Sequence, residues 1–330
     1  MKRLLAAALV WLAIVSASAA QDSHLLIVVG LGGDPEIAVR FHGWAAALFD
    51  AARTRHGLPA SHVTYLGEDP ARDPSRIAGR STREGIEGAL GRIAAAARPG
   101  DRAFVVLIGH GATASGEPRF NLPGPDLTAA ELGGLLARLG TMPVVVVNTA
   151  SASGSFLPAL AGKERAVVAA TRTDGERNQT RFAEFFVEAY ATDAGDIDKD
   201  GRLSILEAFT WARRRVVESY ERDGQLLTEH AVLDDDGDGK GTDTPGEPGK
   251  DGALARTLFL TATASTVVLD EAADPELRAL AEQQKALEGR IAALRAAKAT
   301  TETAQYEREL EQLLVELART SRAIKEKQKK

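Results

Sequence analysis

The chain of 330 residues contains no cysteine. That absence excludes disulfides, thiolate nucleophiles and cysteine-ligated zinc. Aromatic residues are also scarce, at 5%, too few for a base-stacking platform. Positive charge is not in excess: the net charge is −6 at pH 7, which argues against a nucleic-acid partner. The apolar stretch Leu4–Val15 is shorter than a usual bilayer span. It follows Lys2 and Arg3 and precedes the small residues Ser16–Ala20, the pattern of an export signal cut near Gln21. The alternative is an uncleaved membrane anchor. On the first reading residues 1–20 are a signal peptide, no stable membrane span survives its removal, and the mature chain works in the periplasm or outside the cell.

What is present is 44% hydrophobic residues, enough for a substantial core. Short apolar runs alternate with helical patterns. Strands are predicted at Leu25–Val29, Val63–Leu66, Phe104–Ile108, Val144–Val147 and Ala166–Ala170, with Leu258–Leu260 as a candidate sixth. Helices are predicted at Ala38–His56, from the capping box Ser81–Glu84 to Ala97, and from the capping box Thr128–Glu131 to Leu139. Such alternation predicts an α/β fold, a mostly parallel sheet with helices on both faces, spanning residues 21–265. Ligands in these sheets bind beyond the carboxyl ends of the strands.

After residue 274 the pattern changes. Asp274-Pro275-Glu276 opens a helix, and Leu277, Leu280, Leu287, Ile291 and Leu294 follow heptad spacing. Beyond Thr300–Thr303, Leu310, Leu313, Leu317 and Ile324 resume it. Two helices with a short break predict a coiled-coil hairpin over 274–330; one long dimerising helix is the alternative, and self-association through these helices is a candidate role.

Asp196-Ile-Asp198-Lys-Asp200-Gly201-Arg202-Leu-Ser204-Ile-Leu-Glu207 has the spacing of an EF-hand loop. Asp196, Asp198 and Asp200 stand at positions one, three and five. Gly201 makes the turn, the Arg202 carbonyl serves at seven, Ser204 acts through water at nine, and Glu207 is bidentate at twelve. Ser204–Glu207 is also a capping box, but a helix cap needs no ladder of mutually repelling carboxylates. Calcium is therefore the expected cofactor, in a structural role. Asp234-Asp-Asp236-Gly-Asp238-Gly239 begins the same way, yet its twelfth position is Pro245. It is either a loose calcium site or a turn-rich acidic loop.

Gly30-Leu-Gly-Gly33 lacks the third glycine of a dinucleotide fingerprint and reads as a tight turn. Two other loops at predicted strand ends carry chemistry. Gly109-His110-Gly111 follows the third strand, and Asn148-Thr-Ala-Ser-Ala-Ser-Gly154 follows the fourth. Flanking glycines favour a functional histidine over an incidental one.

These two loops resemble the caspase fold, in particular the legumain-like cysteine peptidases. Those enzymes place the base histidine in a Gly-His-Gly turn and the nucleophile in an Ala-Cys-x-Ser-Gly-Ser loop. The resemblance covers roughly Leu25 to Leu260. It implies that His110 is the base position, that Ser151 stands where the cysteine belongs, and that the N–H groups of Gly111 and Ser151 face an oxyanion. The departure matters. A thiol titrates near about 8.5 and is readily ionised, whereas a serine hydroxyl needs a well-aligned, oriented base. The resemblance therefore implies a catalytically inactive homologue that binds a peptide or protein partner. The alternative is a serine-type hydrolase using Ser151 and His110 by acyl transfer.

Overall fold

In a computed structural model of the chain, the described residues are 22–261 except 193 and 248, scattered positions within 276–294, and 303–328. The expected signal segment, residues 1–20, lies outside them, as does the stretch 262–275 with the expected helix start at Asp274.

Apolar runs become strands buried on both faces. β1 (Ser23–Val29), β2 (Val63–Gly67), β3 (Ile77–Arg80), β4 (Arg102–Ile108), β8 (Val144–Asn148), β9 (Arg165–Ala169) and β10 (Val232–Asp234) form one sheet. Its order is β10-β9-β8-β4-β1-β2-β3, and every pairing is parallel except β10 with β9. Alternate side chains divide the core. Leu25, Ile27, Val106 and Val147 join the cluster beneath α1 (Pro35–Thr54), α5 (Phe182–Ala191) and α6 (Ile205–Arg222). Leu26, Val28, Val105 and Val146 face α2 (Arg83–Ala96), α3 (Ala129–Ala137) and α4 (Leu157–Leu160). Continuous Val/Leu/Ile runs are what a sheet covered on both sides requires.

The helix starts show local chemistry at work. Asp34 accepts from the N–H groups of Glu36 and Ile37, and Pro35 sits at the first helical position, so α1 begins before the expected Ala38. For α2 the cap is Thr82, whose hydroxyl accepts from the Gly85 N–H. Ser81 is instead buried and donates to the Val29 carbonyl at 2.6 Å, tying the start of α2 to the end of β1. The Thr128–Glu131 box forms reciprocally.

Leu258–Leu260 is no strand of the sheet. Its backbone makes a single antiparallel bridge, Phe259 with Ser204. The missed strands β3 and β10 have four and three residues, too few to show a pattern. A small second sheet was also not anticipated. β5 (Gly111–Ala114), β6 (Glu117–Phe120) and β7 (Leu127–Thr128) pair antiparallel, and Ser115 and Gly116 turn the first hairpin with φ of 52° and 79°. Two successive left-handed residues are the type I′ signature, and Ser-Gly is its sequence cue.

The C-terminal residues Thr303–Gln328 form a helix. Leu313 and Leu317 on it cluster with Leu287 and Ile291, and Lys327 pairs with Glu276 at 2.6 Å. No helix among the described residues is long and apolar enough to cross a membrane.

Candidate functional site

The sheet order reverses direction between β1 and its neighbour β4. Chain leaving β1 runs to β2 and β3 on one side, then returns to β4 on the other. Such a switch point opens a crevice at the carboxyl ends. His110 follows β4 there, and Ser151 follows β8, the next strand over. The fold thus delivers both side chains to adjacent loops on one rim.

Their hydrogen bonds, however, go elsewhere. The His110 ring contacts the Gly32 carbonyl through Nε2 at 3.2 Å, an acceptor that assigns the proton to that nitrogen. The Phe41 ring meets the imidazole edge-on, with centroids 5.1 Å apart. Ser151 is 5% exposed. Its Oγ donates to the Gly111 carbonyl at 2.9 Å and accepts from the Gly111 N–H at 3.4 Å. Among the described residues no hydrogen bond joins the imidazole to the hydroxyl. The Gly111 N–H, expected to face an oxyanion, points instead at Ser151 Oγ.

Packing also accounts for the glycines beside His110, which the sequence left to function. A Cβ on Gly109 would lie 2.8 Å from the Phe120 ring, and one on Gly111 2.6 Å from the Ser151 carbonyl oxygen. Gly154 is held for the same reason: a Cβ would sit 2.2 Å from the Arg172 carbonyl. Ala152 takes a left-handed φ of 55°, a conformation that is uncommon without glycine and concentrated at functional turns.

The serine loop is clamped on every side. Thr149 donates to the Leu107 carbonyl at 2.8 Å, and Thr180 Oγ1 donates to the Thr149 carbonyl. Ser153 and Thr171 share a buried hydroxyl pair at 3.1 Å. The Ala152 N–H donates to the Glu176 carbonyl at 2.9 Å. The Glu176 side chain accepts from the N–H groups of Arg172 and His230 and contacts His230 Nδ1 at 2.7 Å. Glu176 and His230 lie 54 residues apart, and no sequence signal joined them to the serine loop. Beneath it, the buried amide nitrogen of Asn148 has no partner among the described residues. A cleft of about 380 Å³ opens beside the loop, lined by Gly154, Ser155, Pro158, Arg172 and Lys240. Neither His110 nor Ser151 lines it.

The acidic loop between α5 and α6 is organised differently. Asp196, Asp198 and Glu207 each offer a carboxylate oxygen within 4.8 Å of the others, a grouping able to hold a metal ion. Gly201, with φ of 84°, donates its N–H to Asp196 Oδ2 at 3.0 Å. Glu207 Oε1 accepts from the N–H groups of Ile197 and Asp198, while its Oε2 completes the capping box with Ser204. The helix cap and the carboxylate cluster therefore coexist on one side chain. Ser204 Oγ is committed to Glu207 at 2.8 Å. Asp200 stands outside the three-carboxylate cluster and accepts from the Arg202 N–H at 2.8 Å. The Arg202 guanidinium lies 3.8 Å over the Phe259 ring. Asp196 Oδ1 is buried with no hydrogen-bond partner among the described residues. Burial pushes the Asp196 carboxyl up, and it pushes that of Asp200 up to about 7, with the Asp198 charge adding to the effect.

The bridge between Ser204 and Phe259, with the Ile205 N–H donating to the Leu258 carbonyl at 2.9 Å, fixes the exit of this loop. Leu258–Leu260 was expected in the sheet because it is apolar. Its actual place is beside the acidic loop. No family model matches the chain, and no curated protein matches it.

Proposed function

We propose that this chain is an exported, legumain- or caspase-like domain without hydrolytic activity that binds a peptide or protein partner and is stabilised by calcium at Asp196–Glu207. The observation that carries the loss of activity is the Ser151 hydroxyl, bonded at both its donor and acceptor sides to the Gly111 backbone. A serine nucleophile requires a base aligned on its proton. Here that proton is directed to a carbonyl that cannot accept it for catalysis. The neighbouring placement of the His110 and Ser151 loops on a mostly parallel sheet supports the resemblance. Calcium is supported by the all-oxygen donors of the 196–207 loop and by the unpartnered Asp196 oxygen. A C-terminal hairpin is supported by the Leu287–Ile291–Leu313–Leu317 cluster and the Lys327–Glu276 pair, and it offers the surface for self-association or partner capture.

A fluorophosphonate probe tests the central claim. Wild-type protein is expected to remain unlabelled and to cleave no member of a peptide library. Labelling that disappears in Ser151→Ala would instead establish the serine-type hydrolase.

A further inference from the structure

The second acidic stretch lacks a carboxylate at its twelfth position, but the fold supplies one from further along the chain. Asp234 is the last residue of β10 and is fully buried. Asp251, 6% exposed, comes back alongside it. One oxygen each from Asp234, Asp236 and Asp251 lies within 4.8 Å of the others. From this geometry we infer that Asp234, Asp236 and Asp251 form a second calcium site, independent of the loop at Asp196–Glu207.

Carboxylates also gather on protein surfaces with no metal between them. The further observation is Asp234 Oδ2, which is buried and has no hydrogen-bond partner among the described residues, although Oδ1 accepts from the Gly237 N–H at 3.2 Å. A buried carboxylate oxygen left without a donor calls for a cation, a proton or an ordered water. Three carboxylates converging within 4.8 Å favour the cation, which relieves their mutual repulsion. Protein cations do not meet the need. Among the described residues none forms an ion pair with Asp234, Asp236 or Asp251; Lys240 approaches Asp238 at 4.0 Å, and Arg172 pairs with Asp243 at 2.6 Å.

Asp235 explains how Asp251 reaches the site. Its two oxygens accept from the N–H groups of Gly252 and Ala255, each at 2.8 Å, and its own N–H donates to Asp251 Oδ1 at 3.0 Å. Asp235 is thus a positioning residue, its oxygens turned to the backbone of Gly252 and Ala255 and outside the grouping that Asp234, Asp236 and Asp251 form. Donors that are all oxygen, with no histidine among them, select a hard cation, and an irregular loop that can add carbonyls and water suits calcium better than the strict octahedron of magnesium.

The site has a consequence for the serine loop. Gly237 and Gly239 take φ of 83° and 75° and press against Gly162 and Pro158, where a Cβ would lie 3.1 and 3.2 Å from backbone atoms. The acidic loop is therefore one wall of the cleft beside Ser155, and the ion would fix that wall.

The number of calcium ions bound decides the matter, measured by equilibrium dialysis of radioactive calcium against the full chain after chelator treatment. Wild type is expected to bind two equivalents. Asp236→Asn, at an exposed position that leaves the melting temperature in chelator unchanged, is expected to lose one, and Asp251→Asn the same one. Glu207→Gln should lose the other, and Glu207→Gln with Asp236→Asn should lose both. If Asp236→Asn binds as many equivalents as wild type, the second site is overturned. A single equivalent that Asp236→Asn removes and Glu207→Gln does not would uphold the second site and overturn the first.

Discussion

The crevice at His110 and Ser151 and the two acidic loops make opposite use of polar side chains. In the crevice Ser151, Ser153, Thr149 and Thr180 all close their hydrogen bonds within the protein. The Asn148 amide nitrogen beneath it, and Thr113 Oγ1 and Gln179 Nε2 on the flanking segments, are buried without a partner among the described residues. In the acidic loops, Asp196 Oδ1 and Asp234 Oδ2 are buried and unpaired. A buried polar group without a partner costs about 1–3 kcal/mol, and more when charged. The first region closes most of its polar groups within the protein, and what it leaves unpaired is neutral. The second leaves carboxylate oxygens unpaired, which is costlier. On the proposed reading, the pair that resembles a catalytic one is held structurally, and the carboxylate groupings on the same domain are the places to look for a ligand.

Calcium should have the largest effect. A ligand present at 100 to 1,000 times its dissociation constant stabilises the native state by about 3–4 kcal/mol per site. Scanning calorimetry of the chain with calcium against chelator is therefore expected to show a rise of several degrees. Glu207→Gln should remove part of the rise. An unchanged midpoint on adding calcium would erase the contrast between the two regions.

Next in size is Gly111→Ala. The added methyl would meet the Ser151 carbonyl at 2.6 Å, so one loop must move; overpacking of this kind costs about 1–3 kcal/mol. Urea unfolding should show the loss. A neutral result would mean that the crevice is looser than its hydrogen bonds indicate.

Ser151→Ala should have the smallest effect, about 1 kcal/mol or less, because it removes one hydroxyl and leaves the Gly111 carbonyl to find another donor. The same unfolding measurement checks it. A loss as large as that of Gly111→Ala would show that the hydroxyl, rather than the backbone approach, sets the loop.

The central strands were legible because each run of Val, Leu and Ile is buried on both faces, as Leu25–Val29 and Val144–Val147 are. The grouping of Asp196, Asp198 and Glu207 was legible because their spacing is local, whereas Asp200, expected with them, lies outside it. The short strands were not, since Val232–Asp234 offers only two apolar residues. Leu258–Leu260 was misplaced because an apolar triplet does not say which partner it bridges. Thr82 rather than Ser81 caps α2 because Ser81 finds a better acceptor in Val29, a contact 52 residues away. Asp251 and the Glu176–His230 pair were invisible for a related reason: the fold, not the spacing, brings them in.

The tie at Phe259 has a mechanical meaning. Its backbone bridges Ser204, its carbonyl accepts from the Ser23 hydroxyl at 3.1 Å, and the Ser23 N–H donates to Thr261 at 3.2 Å. The first strand and the departing chain are thereby stitched together against the Asp196–Glu207 turn. Load applied beyond Thr261 would meet this seam, at the first residue of β1, before the rest of the sheet, so a cation that stiffened the adjoining turn would also raise the force needed to unzip the domain from that end.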